Sequence, residues 1–390
     1  MTQRTHQQQQ PAPAPNPPAR WLPEHDPESL RQWLAQRREP WAKPFRAKQL
    51  LRHYFVRHTP SYAAMTDLPK EMRETLAEAL PLNPVRVVEE RSDEEGSVKL
   101  VFAPGAKEDA AANGSLIECV VMHDAQRDSR TVCVSSQVGC AMGCQFCASG
   151  LGGLVRNLTT GEILGQIWHA ARFLRAFGFG ERPITNIVFM GVGEPLANVK
   201  HVAGALKALT AEWGFGLSPR RITVSTVGLV AGIDKLRELE IPVNLALSLH
   251  AADDETRQRI IPTRPGSSPH EPDESRASAE VERIMQAGDR YFAATGREVT
   301  LEFILLPKVN DHQAAALAEL IQRHPQGRYN VNVIPYNRVP EFRWREPKGY
   351  EVARFLDELR SRGINAHARK RMAYRVSGAC GQLRLTLQRA

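Results

Sequence analysis

Between residues 131 and 362 the chain alternates two hydrophobic rhythms. Short apolar or β-branched runs fall at 131–135, 184–190, 221–226, 243–248, 299–305 and 329–334. Between and after them lie longer stretches in which apolar residues recur every three or four positions, at 161–177, 199–209, 281–294, 313–323 and 350–362. The first pattern predicts strands and the second amphipathic helices. Repeated βα units with short links predict an α/β fold on a parallel sheet, open or curled into part of a barrel. Folds of this kind place their chemistry at the carboxyl ends of the strands.

Upstream the rhythm differs. Helical patterns at 28–36, 46–57 and 70–80 predict a small helical domain over 21–84, and Leu50, Leu51, Tyr54 and Phe55 share one face of its second helix. Runs at 85–88, 98–102 and 116–121 predict a short sheet over 85–130 that leads into the main body. Residues 1–20 are Gln- and Pro-rich without an acid, a composition that predicts a flexible tail. The polar insertion at 265–278 predicts a mobile surface loop.

With 42% hydrophobic content in 390 residues, the chain can bury a core for one large domain and a small one. No apolar run reaches the length of a membrane span, and the amino terminus lacks the apolar centre of a secretory signal. A soluble cytoplasmic protein with no membrane contact is expected, and a monomer is the default. The net charge of +8 is concentrated. Residues 31–57 hold eight Lys/Arg against the single acid Glu39, interleaved with Trp33, Trp41, Phe45, Tyr54 and Phe55; residues 361–390 hold seven Lys/Arg and no acid. Two basic blocks point to a polyanionic partner, although a solvated basic face would also keep a protein soluble.

Six cysteines in a chain of this length do not make a disulfide scaffold. Three of them, Cys140, Cys144 and Cys147, follow a C-x3-C-x2-C spacing that can aim three thiolates at one site. A [4Fe–4S] cube with only three close cysteines keeps one iron open to another ligand. A structural zinc site completed by a distant residue is the bland alternative. Other polar groups recur where predicted strands end: Gly193 and Glu194 after 184–190, Ser225, then Ser248, Leu249 and His250, and finally Asn337. Singly each reads as loop chemistry, but together they can line one polar pocket. Cys133 lies seven residues before Cys140. Cys380 sits in a Gly-flanked, Arg-rich setting that favours an exposed thiolate, whereas Cys119 has no evident role.

The cluster loop, Cys133, the 190–195 run Met-Gly-Val-Gly-Glu-Pro, Ser248-Leu249-His250, the 332–337 run ending in Asn337, and Ala379-Cys380-Gly381-Gln382-Leu383, all in order, resemble the radical S-adenosylmethionine (SAM) adenosine methyltransferases of the RlmN/Cfr family. The likeness spans roughly 45–383 and implies a partial (β/α)6 barrel radical-SAM core over 131–345. It also implies a small N-terminal helical domain that holds RNA, and a carboxyl-terminal segment, 346–390, that carries the catalytic cysteine. It implies a [4Fe–4S] cluster on Cys140, Cys144 and Cys147, with SAM contacted by Gly193, Glu194, Ser225, Ser248, Leu249, His250 and Asn337. It further implies that Cys380 takes a methyl from one SAM. A 5′-deoxyadenosyl radical from a second SAM activates that methyl for addition to an adenine carbon, Glu118 accepts the adenine proton, and Cys133 attacks the Cys380 sulfur to release the product as a disulfide forms. The expected substrate is adenine C2 of large-subunit ribosomal RNA and of tRNA, with a reducing electron donor as second partner. Methylation at C8, as in the resistance branch of the family, is the near alternative, and a non-enzymatic zinc-containing RNA-binding protein the distant one. The chain departs from the family pattern in its basic 369–375 segment, in Gly378, in the 265–278 insertion, and in about two extra residues between Glu118 and Cys133.

Overall fold

The computed structural model describes residues 21–94, 96–105, 115–262, 280–325, 327–369 and 381–383. The expected tail at 1–20, the 265–278 insertion, the basic residues 370–375 and Cys380 lie outside the described residues.

Three helices open the chain: α1 (Pro27–Ala35), α2 (Arg46–Phe55) and α3 (Lys70–Ala79). Asp26 caps α1 by accepting the Ser29 N–H at 2.7 Å, which satisfies one of the donors that a helix start leaves open. The apolar face foreseen for α2 is the buried one, since Leu50, Leu51, Tyr54 and Phe55 are all inaccessible. They do not close a separate core. Tyr54 stacks on Trp168 at 5.7 Å, and Phe55 meets Trp213 and Phe215 edge-on at 5.6 and 5.2 Å. Each such ring pair adds about 0.5–1.5 kcal/mol beyond the area it buries. One continuous apolar core therefore runs from the amino-terminal helices into the sheet.

Strands β1 (Val85–Ser92), β2 (Val98–Pro104), β3 (Ile117–Asp124) and β4 (Ser129–Cys133) pair antiparallel in sequence order. After β4 the chain makes a two-stranded hairpin, β5 (Gln137–Gly139) with β6 (Leu154–Asn157), whose connection carries the three clustered cysteines. Parallel pairing then takes over. From β4 the sheet continues through β7 (Asn186–Phe189), β8 (Ile222–Thr226), β9 (Asn244–Ser248), β10 (Val299–Leu305), β11 (Tyr329–Pro335) and β12 (Ala366–Ala368). Six βα-type strands, β4 and β7 to β11, with β12 added at the edge, make the partial barrel expected of the radical-SAM class. The sheet stays open in the described residues, with β1 and β12 at its ends.

Helices α4 (Thr160–Ala176), α5 (Val199–Thr210), α6 (Val230–Glu238), α7 (Asp254–Ile260), α8 (Glu280–Thr295), α9 (Ala314–Gln322) and α10 (Gly349–Ser361) link the parallel strands. A capping box starts α4: Thr159 accepts the Glu162 N–H, and the Glu162 carboxylate accepts the Thr159 N–H at 2.9 Å. Helices α6 and α7, the β5–β6 hairpin and β12 were not anticipated from periodicity. Helix α7 spans only seven residues and β12 three, too short for either hydrophobic period to register. Among the described residues no helix is long and apolar enough to cross a membrane.

Candidate active site

The carboxyl ends of the parallel strands and the cysteine loop enclose one cavity of about 830 Å³, its open mouth included. Cys140, Cys144 and Cys147 line one side; Gly193, Glu194, Ser225, Ser248 and His250 line the other. Leu249 and Asn337, expected with them, are buried but do not line this cavity. Leu249 follows the strand with its side chain in the main core, as alternation along an extended chain requires.

The cysteine loop is held from three sides. Cys140 N–H donates to the Gly153 carbonyl at 2.9 Å, and Gly139, at φ +74°, could carry no side chain because a Cβ would lie 2.0 Å from that same oxygen. Gln145 N–H donates to the Ile260 carbonyl at the end of α7, and its own carbonyl accepts the Trp344 indole N–H, both at 2.8 Å. From the carboxyl-terminal segment, the Gly381 carbonyl accepts the Ala148 N–H at 2.8 Å and the Leu383 carbonyl accepts the Ser149 hydroxyl at 2.9 Å. Gly381 itself lines the cavity. Burial, with a smaller push from the neighbouring thiols, raises the Cys140 thiol to about 12 and Cys144 well above the ordinary thiol value. Three mutually repelling sulfurs in a dry site suit cationic metal, which reverses that electrostatic sign. In a cube each thiolate binds its own iron, so three cysteines that share one cavity fit a [4Fe–4S] cluster.

Opposite the thiols, backbone crowding explains the glycines. A Cβ on Gly191 would fall 2.6–2.7 Å from the backbone of Val134 and Ser135, and one on Gly193, at φ +107°, 2.5 Å from Gln137 Cβ. Close approach positions Glu194. Its N–H donates to Gln137 Oε1 at 2.7 Å, while its carboxylate accepts the N–H groups of Leu196 at 3.0 Å and Val227 at 2.9 Å. Burial raises this carboxyl to about 7 despite those bonds and the nearby Arg257. An ammonium group entering the cavity would favour its ionised form. Ser225 and Ser248 hydroxyls lie 3.2 Å apart on adjacent strands.

His250 has left-handed backbone at φ +61°, an uncommon conformation for a residue with a side chain. Its Nδ1 accepts the Ile304 N–H at 3.0 Å, so the proton of the neutral ring sits on Nε2. Burial and Arg257 lower its pKa to about 3. The ring is therefore a neutral donor on the cavity wall.

Two polar residues of this region escaped sequence reasoning. Arg257 on α7 is completely buried, and its guanidinium donates to the carbonyls of Val227, Ser248 (3.0 Å) and Leu249 and to Glu280 Oε1 (3.1 Å). It clamps the loop ends of β8 and β9 together. Glu302 on β10 lines the cavity, accepting from Asn332 Nδ2 at 3.1 and 3.0 Å and facing Arg369 at 3.5 Å. Neither carries a local motif.

Cys133 is 6% exposed and packs with Val120, Val192 and Leu383, three residues beyond Cys380 in the chain. Glu118 is buried at 3% exposure and paired with Lys99. Cys119 lies wholly within the core, where burial raises its thiol. On the amino-terminal helices the aromatic and basic residues separate: Trp41, Tyr54 and Phe55 are core, while Phe45 stands 59% exposed with Arg46 stacked over it at 4.8 Å and Lys43 and Lys48 exposed nearby. Most of the interleaved aromatics thus anchor the helices, and Lys43, Phe45 and Lys48 stay on the exposed face.

Comparison with known proteins agrees with this geometry. Residues 134–321 match the family model described as Radical SAM superfamily, and residues 22–81 that of the Ribosomal RNA large subunit methyltransferase N-terminal domain. The chain is 42% identical over 360 residues to a probable dual-specificity RNA methyltransferase RlmN of Rhodopirellula baltica, covering 92% of this chain and 88% of the relative. It is 39% identical over 377 residues to the dual-specificity RNA methyltransferase RlmN of an Anaeromyxobacter species, covering 96% and 92%. A crystal structure of a radical SAM methyltransferase from Sphaerobacter thermophilus superposes with a TM-score of 0.83 at 38% identity, covering 94% of this chain and all of that one.

Proposed function

The chain belongs to the RlmN family of radical SAM RNA methyltransferases, and from that premise we propose that it methylates C2 of adenosine in large-subunit ribosomal RNA and in tRNA. A [4Fe–4S] cluster and SAM, which the family binds, supply when bound a 5′-deoxyadenosyl radical able to take hydrogen from an unactivated methyl group. In this reading Cys140, Cys144 and Cys147 ligate three irons. Glu194 receives the ammonium group of SAM, Ser225, Ser248 and the His250 Nε2–H meet its polar atoms, and the Gly193 backbone allows it to approach. Leu249 and Asn337 support those contacts from behind the wall.

Adenine C2 is a poor nucleophile, so direct displacement on a sulfonium methyl has no suitable attacking electron pair. A protein sulfur that first accepts the methyl removes that obstacle. Cys380 is assigned that task, Cys133 the attack on its sulfur that frees the product, and Glu118 the acceptance of the adenine proton. One observation carries the assignment: Gly381, the next residue after Cys380, lines the cavity and is hydrogen-bonded to the cluster loop. Packing of Leu383 against Cys133 supports the pairing of the two sulfurs. The exposed Lys43, Phe45, Lys48 and Arg52 of the amino-terminal helices would grip RNA through phosphate contacts and stacking, and the target base must leave its stack to enter. A one-electron donor is the second partner.

The test is nucleoside analysis of ribosomal RNA and tRNA treated with reconstituted protein, SAM and a reductant. The expected product is 2-methyladenosine in both RNAs. Recovery of 8-methyladenosine instead would overturn the carbon assignment, and unmodified RNA from cluster-loaded protein would overturn the activity.

A further inference from the structure

Lys99 and Glu118 form an ion pair that neither the cofactor cavity nor the cysteine chemistry accounts for. Nζ and Oε1 are 3.0 Å apart, and the two side chains are only 5% and 4% exposed. In the β2–β3 register Lys99 lies opposite Val120, and Val101 opposite Glu118, so the pair reaches diagonally across one face of the sheet. Val120 is also directly opposite Cys133 on β4. Glu118, two residues along β3, therefore shares the Cys133 face. Ser135 ties the same strand to the cofactor loop: its hydroxyl donates to the Glu118 carbonyl at 2.6 Å and accepts the Val192 N–H at 2.9 Å.

Removing two ions from water is costly, and well-packed apolar residues commonly serve stability as well or better. A buried pair on the sheet face that carries Cys133 therefore points to a task other than stability. We propose that Lys99 is a positioning residue that holds Glu118 ionised and aimed along the Cys133 face, ready to accept the proton of the target adenine. This role rests on the proton-acceptor reading of Glu118 above. The physical argument is that a buried carboxyl without a cation takes up a proton, and a carboxylic acid cannot serve as a base. Lys99 is a cation in direct contact with it, Nζ lying 3.0 Å from Oε1. Arg91 on β1 adds a weaker attraction while paired with Glu89, and Cys133 faces it from β4.

Infrared difference spectra between the wild-type protein and Glu118→Gln, recorded without cofactor, read the charge state directly. The wild type is expected to show an ionised carboxylate at pH 7. In the Lys99→Met background the same subtraction should show a protonated carboxyl; Lys99→Gln serves if Lys99→Met does not fold. In loaded enzyme, Lys99→Met should still carry S-methyl on Cys380 by intact mass, yet lose RNA methylation about a hundredfold at pH 7, with recovery as pH rises and near-complete rescue by Lys99→Arg. An ionised carboxylate in Lys99→Met, or normal RNA methylation by it, overturns the role of Lys99. Full methylation by Glu118→Gln instead overturns the proton-acceptor reading, and this role with it, whatever the infrared result.

Discussion

Replacing Arg257 by Met should cost the protein more stability than almost any other single change outside its apolar core. Arg257 is 0% exposed and donates to three backbone carbonyls at the ends of β8 and β9 as well as to Glu280. Each buried acceptor that loses its donor costs about 1–3 kcal/mol, so three give roughly 3–9 kcal/mol if nothing relaxes. Shared partners make such terms less than additive. Breaking a buried charge pair by removing one side costs about 3–5 kcal/mol, and that is the range expected here. Arg257→Lys keeps the charge but not the fork of donors, and a smaller loss of about 1–3 kcal/mol is expected. Urea unfolding at constant m-value measures both. The same clamp fixes Ser248 and the Val227 N–H that holds Glu194, so SAM affinity of reconstituted Arg257→Lys should fall while its iron content stays normal. An Arg257→Met midpoint shifted by no more than an exposed substitution would shift it, within about 0.5 kcal/mol, would refute the clamp.

Three further outcomes are expected. Cys380→Ala should abolish RNA methylation yet leave iron and sulfide content intact, whereas Cys133→Ala should accumulate protein crosslinked to RNA; denaturing gels with labelled RNA and metal analysis check both. His58 lies where the amino-terminal helices meet α4, and His169, on α4, faces Val85 of β1 and Phe102 of β2; burial, aided by Arg175 and Arg172 for His58 and by Arg172 for His169, lowers each to about 4. Protonation therefore favours the unfolded chain: stability is full above the unfolded value near 6.5 and declines as pH falls from there towards about 4, by at most about 3 kcal/mol per histidine. Urea midpoints across that window should drop in the wild type and flatten in His58→Asn/His169→Gln, and an unchanged slope in the double variant would contradict the assignment.

The parts of the molecule that sequence reasoning reached are those with a local signature. Cysteine spacing found the cluster loop, and two-residue and 3.6-residue periods found six parallel strands and most of their helices. What it missed depends on distant partners. Arg257 and Lys99 look like solvent-facing charges until α7 packs under the strand ends and β2 pairs with β3. Trp41, Tyr54 and Phe55 resembled a nucleic-acid surface because they alternate with cations, but Trp168, Trp213 and Phe215, more than a hundred residues on, supply the apolar wall for Tyr54 and Phe55. Gly191 and Gly193 read as an ordinary turn, and only the approach of residues 134–137 shows why a Cβ is excluded.

The route of the methyl group is the claim on which the rest depends, and SAM bearing a trideuterated methyl follows it directly. If a sulfur of the protein carries the methyl and loses one hydrogen atom before addition to adenine, mass spectrometry will find 2-methyladenosine with two deuteriums in its methyl group and the third in 5′-deoxyadenosine. Transfer of all three deuteriums to the base would contradict the account.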